Sequence, residues 1–97
     1  MALRFEWDPR KAAANERKHG VTFLEATEVF DDPLSVVITD PDHSNGEERL
    51  LLLGESGEGH LLVVAHCERD DVIRMISARR ANRRETRIYE EESSPHR

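Results

Sequence analysis

Ninety-seven residues, of which 37% are hydrophobic, 5% aromatic and 35% charged, make one domain with a modest core. A formal charge of −6 excludes a uniformly basic nucleic-acid binder, and no apolar run is long enough to span a bilayer. One cysteine, Cys67, excludes an internal disulfide. Together with an N-terminus lacking the apolar stretch of a signal peptide, it leads to the expectation of a cytoplasmic protein.

The charge is unevenly spread. Residues 25–71 hold two Lys/Arg against thirteen Asp/Glu, whereas residues 72–97 hold seven against four. Arg74, Arg79, Arg80, Arg83, Arg84 and Arg87 form a cluster that can bind phosphate locally, or simply be a solvated face.

Phe5-Glu6-Trp7 alternates and reads as a short strand. Asp8-Pro9 supplies an N-cap and a proline at the first helical position, and Gly20 supplies a stop, so a helix is predicted from Pro9 to about His19. Thr22-Phe23-Leu24-Glu25 reads as a capping box, with Thr22 bonding forward and Glu25 bonding back. The helix it opens carries Phe23, Ala26, Val29 and Phe30 on one face and stops at Asp31-Asp32-Pro33.

A β-rich block follows. Strands are predicted at Leu34–Thr39, Glu48–Gly54, His60–Cys67 and Val72–Ala78. Asn45-Gly46 marks a turn in the loop Asp40–Glu47, and the other connections are Glu55–Gly59 and a tight turn near Asp70-Asp71. Connections this short favour an antiparallel meander. Asn82-Arg83-Arg84-Glu85 starts a last helix to about Glu92, anchored by Ile88 and Tyr89. The expectation is therefore α+β, with two N-terminal helices and one C-terminal helix on an antiparallel β-meander. Residues 1–92 form the domain and 93–97 a loose tail.

Leu50–Leu53 and Leu61–Ala65 are apolar at every position, whereas a one-sided antiparallel sheet alternates. Either the last helix and the loops cover the second face, or a partner protein packs there.

No metal or nucleotide hallmark is present, neither CxxC, HExxH, GxGxxG nor GxxxxGK[ST]. His43, His60 and His66 are scattered imidazoles rather than a ligand set, so no metal or cofactor is expected, and a small metal-dependent hydrolase is a minor alternative. Nothing local marks Cys67 or Ser77 as an activated nucleophile. The polar residues at strand ends are more suggestive. A turn between neighbouring antiparallel strands brings Glu68, Arg69 and Arg74 together, as a phosphate site or as ordinary ion pairs.

FEWDPRKAAANERKHGVTFLEATEVFDD, HSNGEERLLLLG, LLVVAHCER and VIRMISARRANRRETRIYEE, in that order over about residues 5–92, resemble the BrnT family of type II toxin–antitoxin systems. Lys18-His19-Gly20, Glu48-Arg49, Glu68-Arg69 and Ile76-Ser77-Ala78-Arg79 are the specific part. The resemblance implies a RelE-like fold and a ribonuclease that arrests translation. It also implies a BrnA antitoxin bearing a ribbon-helix-helix domain, through which alone the complex reaches operator DNA.

Metal-free RNA cleavage needs a base for the 2′-OH, cations for the phosphorane and an acid for the 5′-oxygen. On that requirement Arg49, Arg69 and Arg79 are assigned to the phosphate and its transition state, because guanidinium forks onto two oxygens. Lys18 is an added cation or a desolvated base. His66 and Glu68 are the candidates for proton transfer, with His19 as runner-up, and Arg74, Arg80 and Arg83 for holding RNA. The alternative is a degenerate toxin that only binds its antitoxin and tunes repression.

Overall fold

A computed structural model describes residues 3–39 and 49–93. The expected Asn45-Gly46 turn, His43 and all of the tail after Ser93 lie outside them. Strand β1 (Arg4–Glu6) leads into helix α1 (Pro9–His19), helix α2 (Phe23–Thr27) and a 3₁₀ turn (Glu28–Asp31). Strands β2 (Val36–Thr39), β3 (Leu50–Glu55), β4 (Leu61–Arg69) and β5 (Val72–Arg80) follow, and helix α3 (Arg83–Ser93) closes the fold.

The caps form largely as the sequence dictates. Asp8 accepts from the Arg10 N–H at 2.8 Å, and Gly20 takes the left-handed conformation (φ 71°) while its N–H bonds Glu16. Asn82 and Glu85 cap reciprocally: Glu85 N–H donates to Asn82 Oδ1 and Asn82 N–H to Glu85 Oε1. At α2 only half of the expected box is made. Thr22 Oγ1 accepts from the Glu25 N–H, but the Glu25 carboxylate turns instead to Ser56 and His60 across the fold.

Strands β2 to β5 form the expected antiparallel meander. The sheet as a whole is mixed, however, because β1 joins the far edge parallel to β5, giving the order β1-β5-β4-β3-β2. Two helices lie between β1 and the meander, long enough a connection to permit a parallel pairing that no short turn allows.

Helices cover both faces. On one, Val21, Phe23, Ala26 and Val29 pack on Leu52, Leu62, Val64, Ile73, Met75 and Ala78. On the other, Ile88 and Tyr89 of α3 pack with Leu53 and Val63. The all-apolar runs of β3 and β4 are therefore the centre of a three-layer core, with α3 packed over the second face at Leu53 and Val63 and Leu51 and Leu61 partly buried beside it. The large apolar side chains exposed among the described residues are Leu3, Leu24, Leu34 and Val37, away from that centre.

Two close contacts fix the layers. A Cβ on Gly54 would stand 2.9 Å from Val29 Cγ1 and 3.0 Å from Ser35 Cβ, so β3 needs glycine where the 3₁₀ turn crosses it. Buried Asn15 of α1 meets the open edge of β5 beyond β1. Its amide donates to the carbonyls of Ala78 (2.8 Å) and Val21 (2.9 Å), and its Oδ1 accepts from the Ala78 N–H (3.0 Å). A side chain thus takes the place of a neighbouring strand.

Asn15→Ala leaves both backbone groups of Ala78 unpaired, and is expected to cost about 2 kcal/mol or more in urea unfolding. A loss below about 0.5 kcal/mol would mean that the clamp is dispensable.

Candidate functional site

Alternation along the strands assigns each predicted residue to a face, and a bulge modifies the rule. Ala65 pairs with Ser77 and His66 with Met75, so Ile76 is an extra residue in β5. Past it the alternation inverts. Met75 and Ala78 both reach the core under α1 and α2, and Arg74 and Arg79, five residues apart, both belong to the α3 face.

At one end of that α3 face lies a cavity of about 390 Å³, lined by Glu6, Cys67, Arg69, Asp70, Val72 and Arg74. The register sets Cys67 opposite Arg74 and Arg74 opposite Glu6. Continued one residue past the Leu50–His66 pair, it sets half-buried Arg49 beside Cys67 on the same face. The tight turn that joins β4 to β5 closes this end, with Asp70 at φ 55°. Arg74 is not idle: its guanidinium donates to Glu6 Oε2 at 2.9 Å, both side chains being about half exposed. Cys67 is buried in the wall.

Arg79 lies elsewhere on the face. Five residues of strand, less one bulge, separate it from Arg74 by about 15 Å. Its two terminal nitrogens each donate at 2.8 Å to the two oxygens of Glu85, a bidentate fork. Glu85 therefore caps α3 and holds Arg79 at once, and those bonds, the Arg79 fork first, keep its carboxyl below the usual range against the opposing effect of burial. Exposed Arg83 begins α3.

His66 and Glu68 are on the opposite face, under the first two helices. His66 is 1% exposed, stacked edge-on against Phe30 with ring centres 4.9 Å apart. Its Nδ1 is 3.2 Å from the Val64 carbonyl and its Nε2 is 3.4 Å from Glu68 Oε2. Both contacts are donations only when the ring is protonated. Glu68 is half exposed and adjoins Arg69 in the chain, so one strand end presents a carboxylate to one side and a guanidinium to the other. Exposed Lys18, on the last turn of α1, and exposed Arg80 also belong to the helix side. The nine residues are thus not one cluster: Arg69 and Arg74 share the cavity with Arg49 one strand over on the same face, His66 and Glu68 form a pair behind them, and Lys18, Arg79, Arg80 and Arg83 stand apart.

Two carboxylates that the sequence reading places only as a helix cap and a helix stop tie distant segments together. Asp32 accepts from the N–H groups of Leu34 and Glu55, each at 2.8 Å, and from the Tyr89 hydroxyl at 2.7 Å, tying the 3₁₀ turn to β3 and to α3 across the sheet edge. Burial opposes its ionisation, but these three donors outweigh burial and lower its pKa. Burial, followed by that same Asp32, pushes the Tyr89 hydroxyl well above its ordinary value. Glu25 is also lowered: burial opposes ionisation, and bonds from Ser56 and His60, then the charges of His60 and Arg80, overcome it. A run of Asp and Glu shows charge, but not which members will find donors in distant segments.

Depressed carboxylates contribute stability that is fully present above their unfolded pKa values, about 4, and is lost as pH falls through the lower folded values. Melting temperature is expected to be level from pH 7 to about 5 and to fall steeply below about 4, with a shallower fall in Glu85→Gln. Arg79→Ala is expected to cost about 1–2 kcal/mol, since solvent reaches the pair, and Arg74→Ala less than about 1 kcal/mol. Equal losses in the two arginine variants would contradict this division.

A family profile described as the ribonuclease toxin BrnT of type II toxin–antitoxin systems matches residues 7–85. No curated protein matches. Among solved structures the fold is similar to the 1.1 Å crystal structure of the Brucella abortus ribonuclease toxin BrnT. The TM-score is 0.63 at 23% identity, covering 84% of this chain and 100% of that one. At that identity the likeness shows the fold alone, and the family match over residues 7–85 carries the assignment. The chain belongs to the BrnT family of ribonuclease toxins of type II toxin–antitoxin systems.

Proposed function

We propose that this chain is a metal-independent endoribonuclease of RelE-like type, acting in the cytoplasm, which binds the scissile phosphate in the arginine-lined cavity at the β4–β5 end. Its cleavage of RNA arrests translation. As a type II toxin it has an antitoxin partner, which we take to be a BrnA-like ribbon-helix-helix protein that carries the complex to operator DNA.

The cavity carries the reading. Arg69 and Arg74 line it together with Glu6 and Asp70, and the register sets Arg49 on the same face one strand over. A phosphate entering it replaces Glu6 as the partner of Arg74, exchanging one anion for another at little desolvation cost. In the reaction the 2′-oxygen bonds to phosphorus as its proton leaves. The bond to the 5′-oxygen then breaks, and that oxygen takes up a proton. The arginines stabilise the charge in between. Glu68 and buried His66, 3.4 Å apart, lie on the opposite face of β4 from this cavity, so the proton transfers are not assigned to them, and exposed Lys18, Arg80 and Arg83 stand apart from it as well. Arg79 supports the fold through Glu85 before it can serve RNA.

The ion pairs of Arg74 and Arg79 favour one other reading, a toxin-fold module that only binds its antitoxin. Antitoxin-free protein incubated with end-labelled RNA in EDTA separates the two. Cleavage leaving 2′,3′-cyclic phosphate is expected, reduced about 10²-fold or more in Arg69→Ala and Arg74→Ala with the fold retained. Arrest of a translation extract without cleavage of free RNA would make the ribosome part of the site. Neither activity, with antitoxin binding intact, would leave the binding module.

A further inference from the structure

We infer that Glu25, Glu58 and His60 form a site for a divalent transition-metal ion of the zinc class, remote from the arginine cavity and structural in role. One donor atom from each lies within 4.8 Å of the others. Tetrahedral zinc with bonds of about 2.0–2.2 Å separates its donors by about 3.4 Å. Glu58 therefore moves in by about 1 Å while the Glu25–His60 pair, 2.7 Å apart, opens by about 0.7 Å as the ion replaces the proton between them, with water as fourth ligand. Exposed Glu58 can supply that movement.

The other two donors are already held. Glu25 is 11% exposed, and its Oε2 accepts from Ser56 Oγ at 2.8 Å while standing 2.7 Å from His60 Nδ1. The turn bearing Glu58 and His60 is pinned by Ser56 N–H to the His60 carbonyl, Gly59 N–H to the Ser56 carbonyl, and Gly57 N–H to Glu28 Oε1. A bound carboxylate that is itself hydrogen-bonded, on a turn that cannot wander, is how metal sites are oriented.

Charge and donor type select the ion. Two carboxylates and a neutral imidazole balance a divalent charge. Next to them is a second hollow of about 310 Å³, lined by Glu28, Asp31, Asp32 and Glu55 together with Ser56 and Gly57, which concentrates cations. Arg80 is the cation that acts against this, through its charge on Glu25. The imidazole turns the set away from magnesium and calcium, which favour all-oxygen shells, toward zinc. The histidines of the sequence thus acquire different places: His60 meets carboxylates, whereas His66 is about 20 Å further along β4. Arg69, at the end of that strand, is about 30 Å from His60, which separates the ion from the proposed chemistry.

Such an ion staples α2 to the β3–β4 turn, joining residues 25 and 60. The test is calorimetric titration of metal-stripped full-length protein with Zn²⁺ alone, and with Mg²⁺ alone, beside thermal melts. One Zn²⁺ per chain is expected and no Mg²⁺, with affinity about tenfold or more weaker in Glu58→Gln and lost in His60→Gln. Zn²⁺ is expected to raise the melting temperature of the native protein, to raise that of Glu58→Gln less at the same concentration, its exposed side chain leaving the fold intact, and to leave that of His60→Gln unchanged. No Zn²⁺ binding below millimolar concentration overturns the proposal. So does binding that both variants retain, which would place the ion on other histidines or on Cys67.

Discussion

Between Met75 and Ser77 strand β5 carries one residue more than β4 beside it, and the consequences reach every layer. With strict alternation Met75 and Ala78 would point to opposite faces; with Ile76 interposed both enter the core beneath the first two helices. The same inversion lays Arg79 on the α3 side, within reach of Glu85, and leaves Ala78 with its backbone edge toward Asn15 of α1. Removing the extra residue would carry Arg79 beneath the helices and Ala78 out of the core. The cost would be a buried guanidinium and a lost clamp together, well beyond the 1–3 kcal/mol of an ordinary substitution.

What sequence reading captures here is local, because its warrants are local. The Asp8-Pro9 start, the Gly20 stop and the Asn82–Glu85 box depend on residues within one turn of each other, and all three form. Four strands and their antiparallel order follow from connection length. The parallel edge strand does not, since three residues at the N-terminus carry no mark of a partner 68 positions away. Nor does the bulge, because VIRMISARR has no glycine or other signal at Ile76. Glu25 shows the limit most directly. Its place in a T-x-x-E pattern argues for a backward cap, yet Ser56 and His60, more than 30 residues on, offer its carboxylate stronger company.

The same reasoning explains which parts of the site were legible. Arg69 and Arg74 flank a short turn, so their convergence near one strand end is a local inference, and the cavity is found there, whereas the expected third member, Glu68, is on the other face. That Glu68 and Arg69 face opposite sides follows from strand geometry alone. Arg79 could not be placed without the bulge, and Lys18 could not be placed without the docking of α1. The clustered arginines of the C-terminal third read as one patch, but they are distributed over two sheet faces and a helix.

Net acidity and a ribonuclease family are reconciled by segregation rather than by total charge. The arginine cavity occupies the β4–β5 end, while the hollow around Asp32, Glu28 and Glu55 gathers carboxylates at the other end of β3. The acidic end repels a polyanion, so on the proposed reading RNA approaches by the β4–β5 end, where Glu6 and Asp70 partly offset the arginines. Steering falls off within a Debye length of about 8 Å, so the cations engage only once a phosphate is at the cavity mouth. There Glu6 already occupies Arg74, and a phosphate must displace it. On the proposed reading, an internal carboxylate competing at the mouth lowers affinity for stray RNA, a cost that a tightly regulated toxin tolerates better than a free nuclease would.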